Sequence, residues 1–313
     1  MRHQLSTMPA AWLGAALLAA ACGDKSPREV GAKEPEPTLT TESTAVATPP
    51  TASTPVVAGP VSFERAESVF HEGRYDEAVS LFTAYTVERP ENPWGHYMVG
   101  LSSWKAGDLE SAEHSFLDAL EIDSTHVKSR INLGRVLLDA GRPREALAQI
   151  DVVVGLDSGS SNGYRLRARA FEALGCVDDA VEAYKTAIVT DGEDVWALNN
   201  LGLIFIQQGR FQEALGPLAR ATQLGKGKGV AAFHNNLGIA LERTGHYTAA
   251  ADAYRAALAL DEAYGKATVN LARVVERTDD PSVSAIDLTA TAQTFLEEVE
   301  RWRETIAGFE MEC

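Results

Sequence analysis

The chain has 313 residues, with 28 Lys and Arg against 44 Asp and Glu, a formal net charge of −16. A phosphate-binding surface needs clustered excess Lys and Arg, so this balance argues against a nucleic-acid partner. The three cysteines, Cys22, Cys176 and Cys313, make no CxxC pair and no metal-spaced set with histidine, so neither a metal nor a cofactor is expected.

In chain order, residues 1–21 read as an export signal. Arg2 supplies a positive start, an apolar run extends from Ala10 to Ala21, and small residues precede Cys22. The run is too short for a stable membrane span, which needs about 20 apolar residues. The segment Leu18-Ala19-Ala20-Ala21-Cys22 resembles the bacterial lipobox, in which the chain is cut before a cysteine that carries lipid. Ala19 departs from the Leu usual at that place, and the alternative is an ordinary signal peptide ending in a cysteine. The lipobox resemblance implies lipidation at Cys22 and thus a membrane partner. Gly23, where Asp would retain the chain at the inner membrane, points to the outer membrane facing the periplasm.

Residues 22–58 form a second unit. Seven of the 13 prolines lie between residues 23 and 60, at positions 27, 35, 37, 49, 50, 55 and 60, among Thr, Ser, Ala and Glu. This composition offers too little apolar surface to offset the entropy of ordering, so a disordered tether is expected. Its root-mean-square span would be roughly 30 Å.

From residue 59 the sequence repeats. Gly73, Gly107, Gly141, Gly175, Gly209 and Gly245 are spaced by four steps of 34 and one of 36. Each is followed five residues later by an alanine, from Ala78 to Ala250. Four residues further stands a large side chain: Phe82, Phe116, Ile150, Tyr184, Leu218 and Tyr254. Small residues at Gly100, Gly134, Ala168, Gly202 and Gly238 precede the turn glycines by seven. A 34-residue period with small residues at these offsets means stacked helix pairs, none of which can bury its apolar face alone.

On these residues the chain resembles the tetratricopeptide-repeat (TPR) family. The resemblance implies an all-α fold, a right-handed solenoid of antiparallel A and B helices. The array is expected over 59–278, as six repeats (59–92, 93–126, 127–160, 161–194, 195–230 and 231–264) and a seventh A helix. Beyond it, Ser284 and Asp287 sit where an N-cap would. Leu288, Ala292, Phe295, Val299, Trp302, Ile306 and Phe309 then make one apolar stripe at helical spacing. A helix over 284–311 is expected to cap the open end of the solenoid. The same stripe also has coiled-coil spacing, which would make it a homodimer seam.

No catalytic constellation appears. There is no HExxH and no nucleophile elbow, and Gly225-Lys-Gly-Lys-Gly229 lacks the strand and the Lys-Ser/Thr of a phosphate loop. The chain is therefore not expected to be an enzyme. Cys176 and Cys313 are compatible with a disulfide or with free thiols.

The family resemblance implies that repeat positions 2, 5, 6, 9, 12 and 13 line a concave groove. Across repeats two to seven they hold nine basic residues: Lys105, Lys128, Arg135, Arg165, Arg169, Arg243, Lys266, Arg273 and Arg277. Against them stand four acids, Asp139, Glu172, Glu242 and Glu276, a surplus that would attract an acidic segment. Asn132, Asn199, Asn200, Asn235, Asn236 and Asn270 recur at positions 5 and 6, where amides could pair with a peptide backbone. Trp94, Tyr97, Met98, Leu101 and Trp104 crowd one repeat, either as partner anchors or beneath a returning N-terminal segment.

These features imply a protein- or peptide-binding scaffold of the bacterial envelope, similar to pilotin-type assembly lipoproteins. The alternative is a regulatory or substrate-presenting subunit of an envelope enzyme complex. The usual carboxylate clamp of chaperone-binding repeats is not reproduced in register.

Overall fold

A computed structural model describes residues 61–279 and 281–312. The export signal, Cys22, the tether and Cys313 lie outside the described residues. Those described form fourteen α-helices and one 3-10 turn, Lys228–Val230. Helices α1 (Phe63–His71) to α12 (Tyr247–Leu260) pair as A and B, and α13 (Gly265–Val274) is a further A helix. The A helices α3 (Pro93–Ala106), α5 (Val127–Asp139), α7 (Ser161–Leu174), α9 (Val195–Gln207) and α11 (Ala231–Arg243) alternate with α4 (Leu109–Ile122), α6 (Pro143–Leu156), α8 (Val177–Thr190) and α10 (Phe211–Leu224). Helix α2 (Tyr75–Glu88) is the first B helix.

Local chemistry sets these boundaries. Side chains of Ser62, Asn92, Asp108, Ser160 and Asp194 accept from the first free backbone N–H groups of the helix that follows. At the A–B corners the chain turns through left-handed φ, for example +91° at Gly107 and +88° at Gly245, where a side chain would be strained. The extra length of the fifth repeat falls in the loop containing the 3-10 turn.

Packing follows the repeat. Ala78, Ala112, Ala146, Ala180, Ala214 and Ala250 have no exposed surface, and neither do Phe82, Phe116, Ile150, Tyr184, Leu218 and Tyr254. Each such large side chain contributes roughly 1.5–3 kcal/mol by leaving water. Close approach of A to B explains the second glycine series. A Cβ on Gly238 would stand 2.5 Å from the Tyr254 ring, and one on Gly100 would meet Phe116 at 2.9 Å.

Within the array, α3, α5 and α7 touch in succession, as do α9, α11 and α13, whereas the B helices make no comparable contact with one another. The A helices therefore line the inner, concave side and the B helices splay on the convex side.

Helix α14 (Leu288–Glu312) corrects two expectations. Asp287 caps it, its Oδ1 accepting from the N–H groups of Thr289 and Ala290 at 2.9 and 3.1 Å. It does not cover the end of the solenoid; it folds back over the convex side, onto α10 and α8. The α13 face beyond the last repeat stays open, with Val269 and Val275 exposed. The stripe residues Ala292, Phe295 and Val299 are buried inside the monomer, so they are not available as a dimer seam. Phe295 lies against Gly216, where a Cβ would come within 2.9 Å of the Phe295 Cβ. The Trp302 ring faces Lys185 Nζ at 5.2 Å, and Arg303 donates to the Val189 carbonyl. Cys176, buried at the start of α8, is disulfide-bonded.

Candidate functional site: the concave face

The concave face begins with aromatic side chains. Trp94 and Tyr97 project from one side of α3, with ring centroids 5.5 Å apart, edge to face. Buried His126 meets both rings, at 4.6 Å from Trp94 and 5.5 Å from Tyr97. Burial lowers its pKa, so the imidazole stays neutral further into acid than a free histidine. Lys128 Nζ sits 4.9 Å from the Trp94 centroid, a cation–π contact on an exposed side chain. Trp94 itself remains 42% exposed, an unusual state for the largest apolar side chain. A cleft of about 440 Å³ opens beside it, reaching to Phe63 and Phe70 of α1. Trp104 lies apart from that cleft, its indole N–H donating to Asp139 at 3.0 Å.

From Tyr97 a hydrogen-bonded line crosses three repeats. Asn132 Nδ2 donates to the Tyr97 hydroxyl at 3.2 Å, and Arg135 donates to Asn132 Oδ1 at 3.0 Å. Arg135 and Arg165 both donate to Asn162 Oδ1, at 3.0 and 2.9 Å. Arg165 then pairs with Asp194 at 3.2 Å. The Tyr97 pKa is raised chiefly by burial, partly opposed by the Asn132 hydrogen bond, so the phenol stays protonated. Arg169 follows Arg165 on α7, half-buried.

Beyond α7 the same repeat positions turn inward. Asn199, Asn200, Asn235 and Asn236 are all at least nine-tenths buried. Asn199 donates to Asn200, Asn236 donates to Asn199 at 2.9 Å, and Asn270 donates to Asn235 at 2.8 Å. Asn200 donates to the Tyr184 hydroxyl, which in turn donates to Glu172 at 2.6 Å. The last element is bidentate: Arg273 Nε and Nη2 meet both oxygens of buried Glu242, at 2.7 and 2.6 Å. Tyr254 donates to the same carboxylate at 3.0 Å. Burial alone would raise the Glu242 pKa, but hydrogen bonds from Arg273 and Tyr254 overcome it and hold the group below its ordinary range.

The structure thus brings Trp94, Tyr97, Lys128, Asn132, Arg135 and Arg165 into one connected strip. It sets Asn199, Asn200, Asn235, Asn236 and Asn270 into a layer bonded to itself. Arg165 is paired with Asp194 and Arg273 with Glu242, which reduces the surplus expected from counting. Sequence reasoning missed Asn162 and Asp194. Asn162 occupies the repeat position of Trp94 and Lys128, so charge-only counting passed over it. Asp194 closes the fourth repeat as a helix cap, outside the positions taken to face the groove. Among the described residues no group of three or more His, Cys, Asp or Glu side chains is placed to hold a metal, and no helix is long and apolar enough to cross a membrane.

Three family models described as tetratricopeptide repeat match residues 103–170, 165–229 and 231–264, together just over half of the chain. The DnaJ homolog subfamily C member 7 homolog of Schizosaccharomyces pombe is 32% identical over 145 residues, 42% of this chain and 29% of that protein. The chain spans less than a third of the length of the curated relatives it matches. Among solved structures, a tetratricopeptide repeat protein from Parabacteroides merdae is 13% identical with a TM-score of 0.55, over 68% of this chain and 82% of that one. The APC/C hetero-tetramer Cut9-Hcn1 also gives a TM-score of 0.55, at 19% identity, over 75% of this chain and 51% of that one. Such likenesses concern the fold alone, an all-α helical solenoid.

Proposed function

Because the chain belongs to the tetratricopeptide-repeat family, whose members bind protein or peptide partners, we propose that it is a non-catalytic scaffold holding an extended, acidic segment of a partner along its concave face. The observation that carries this reading is the half-exposed Trp94 under the Lys128 ammonium, continuous with the Arg135–Asn162–Arg165 line. An aromatic anchor beside cations is the usual composition of a binding hot spot. In this reading Trp94, Tyr97 and Trp104 supply apolar contact, Lys128 meets a carboxylate, and Arg135, Arg165 and Arg169 add positive field along the strip. Asn132, Asn199, Asn200, Asn235, Asn236 and Asn270, with Arg273, fix the A helices so that those groups stay aligned.

The lipobox-like Cys22 extends the proposal to place. The scaffold is exported, lipid-anchored through Cys22 at the outer membrane facing the periplasm, and serves assembly of an envelope machine, as pilotin-type lipoproteins do.

A photo-crosslinking residue at position 128, used in cells, tests the binding reading. The expected capture is one dominant envelope protein, through an acidic stretch, and lost in a Trp94→Ala background. Capture of a basic segment, or of nothing, sinks it. Fractionation of a Cys22→Ser variant tests the anchor: release from the membrane is expected, and retention refutes lipidation there.

A further inference from the structure

In four successive repeats the residue just ahead of the A helix gives a side-chain acceptor to its first free N–H groups. Asn92 does so for α3, His126 for α5, Ser160 for α7 and Asp194 for α9. Amide, hydroxyl and carboxylate oxygens all accept at neutral and mildly acid pH. His126 is the exception, because an imidazole nitrogen accepts only while it is unprotonated. Its Nδ1 accepts from the Ser129 N–H at 3.3 Å, the same cap bond that Ser160 makes with Gly163 at 3.2 Å, and lies 2.7 Å from Ser129 Oγ. Accepting at Nδ1 places the ring hydrogen on Nε2, which is buried and has no hydrogen-bond partner among the described residues.

The same ring supports the aromatic end of the concave face. It is more than nine-tenths buried and stands edge to face with both Trp94 and Tyr97. In the turn it caps, two residues on, Lys128 rests over Trp94. We propose that His126 is a pH-sensitive positioning residue, whose neutral imidazole holds Trp94 and Lys128 in their binding arrangement and whose protonation releases them. This inference rests on the binding role given above to those two side chains. A proton on Nδ1 turns the acceptor into a donor. Ser129 Oγ can take that hydrogen, but the Ser129 N–H then loses its acceptor, and a full positive charge stands at the positive end of the α5 dipole. The groups that face the ring are the neutral Trp94 and Tyr97 of α3, Asp123 at the end of α4, and Lys128 of α5. Burial has the largest influence and opposes the charge; Asp123 favours it and Lys128 opposes it, and the pKa is lowered. The sign follows. The capped, neutral arrangement is fully present above the ordinary histidine value of about 6.5 and is lost as pH falls through the lower folded value. A charged ring gains hydration by leaving its pocket, so Trp94 loses its edge-to-face neighbour and the first turn of α5 loses its cap.

The test is an NMR titration of the His126 ring in the full chain between pH 7.5 and 5, assigned by its absence from a His126→Asn variant. Ser129 amide protection and acrylamide quenching of Trp94 are read at each step, the latter as the difference from a Trp94→Phe variant. The ring should titrate below about 6.5, with Ser129 protection falling and Trp94 quenching rising along the same curve. His126→Asn and His126→Ser, which install the caps found ahead of α3 and α7, should flatten both curves. Affinity for the captured partner should fall by up to about tenfold one pH unit below the midpoint, as the competent fraction falls, and should stay level in both variants. A ring midpoint at or above about 6.5 overturns the proposal. So does a titration that leaves Ser129 and Trp94 unmoved, or the same pH dependence in both variants. The ring, amide and indole readings need no partner. A switch without capture at position 128 sinks the binding reading alone, and capture without a switch sinks this inference alone.

Discussion

The two halves of the concave face put their groove-lining positions to different uses. In repeats two to four, position 2 presents Trp94, Lys128 and Asn162, and the polar groups there form a strip that ends at a half-exposed ring. In repeats five and six, positions 5 and 6 hold buried asparagines, bonded across helices to one another and to Asn270 of the seventh A helix. One half keeps surface for another molecule; the other uses the same face to hold neighbouring A helices in register. Repeat position therefore tells where a side chain starts, whereas what it bonds to depends on the neighbouring repeat.

The comparison breaks most visibly if the asparagine layer is removed. An Asn199→Ala/Asn236→Ala pair deletes a buried inter-repeat hydrogen bond and removes the donor that Asn199 gives to Asn200 Oδ1, at a cost of about 1–3 kcal/mol. Urea unfolding should show that loss, with partner affinity changed far less than stability. Unchanged unfolding would mean that the asparagines serve the groove directly, as their positions in the repeat suggested.

Next in size is Arg273→Ala, which leaves buried Glu242 with Tyr254 as its remaining donor. Arg273 is half exposed, so water moderates the loss to roughly 1–2 kcal/mol at neutral pH. The sign with pH follows from the depressed pKa of Glu242. Its contribution is fully present above the unfolded carboxyl value of about 4.3 and is lost as pH falls through the lower folded value. Stability curves of the variant and the parent should therefore converge in acid. A gap that persists at pH 2 would show that Arg273 acts by packing alone.

The sequence makes the fold legible because the 34-residue period resides in core positions, where packing leaves little choice. Ala78 to Ala250 and Phe82 to Tyr254 are buried throughout the array, and Gly100 and Gly238 sit where a Cβ would strike a neighbour. The polar strip was less legible. Asn162 and Asp194 each bond an arginine through a side-chain geometry that no period encodes. The fate of α14 was half legible. Its stripe announces a buried face, but spacing cannot say against what. The missed signal was Gly216-Pro217 inside a B helix, a pair that weakens the helix and is explained by Phe295 resting on Gly216.

On the open half, Trp94→Ala should leave unfolding nearly unchanged, because the ring is already 42% exposed, while partner affinity falls by about tenfold or more. Calorimetric titration with the captured partner would separate the two effects. A large stability loss with no change in affinity would move Trp94 to the structural half of the comparison.

The smallest effect sharpens the comparison furthest. Lys128→Ala removes an exposed cation that rests over Trp94 and bonds no carboxylate among the described residues. Exposed charges contribute about 0.2–1 kcal/mol each, so affinity for an acidic segment should fall by only about two- to fivefold. That loss should shrink as salt rises toward 1 M, where the screening length drops to about 3 Å. The Trp94→Ala loss should persist there, since contact with the ring is largely apolar. If both losses vanished in salt, the aromatic end would be acting only through the charge it holds, and the distinction between anchor and field would collapse. If neither did, Lys128 would be acting by covering the ring with its aliphatic stem.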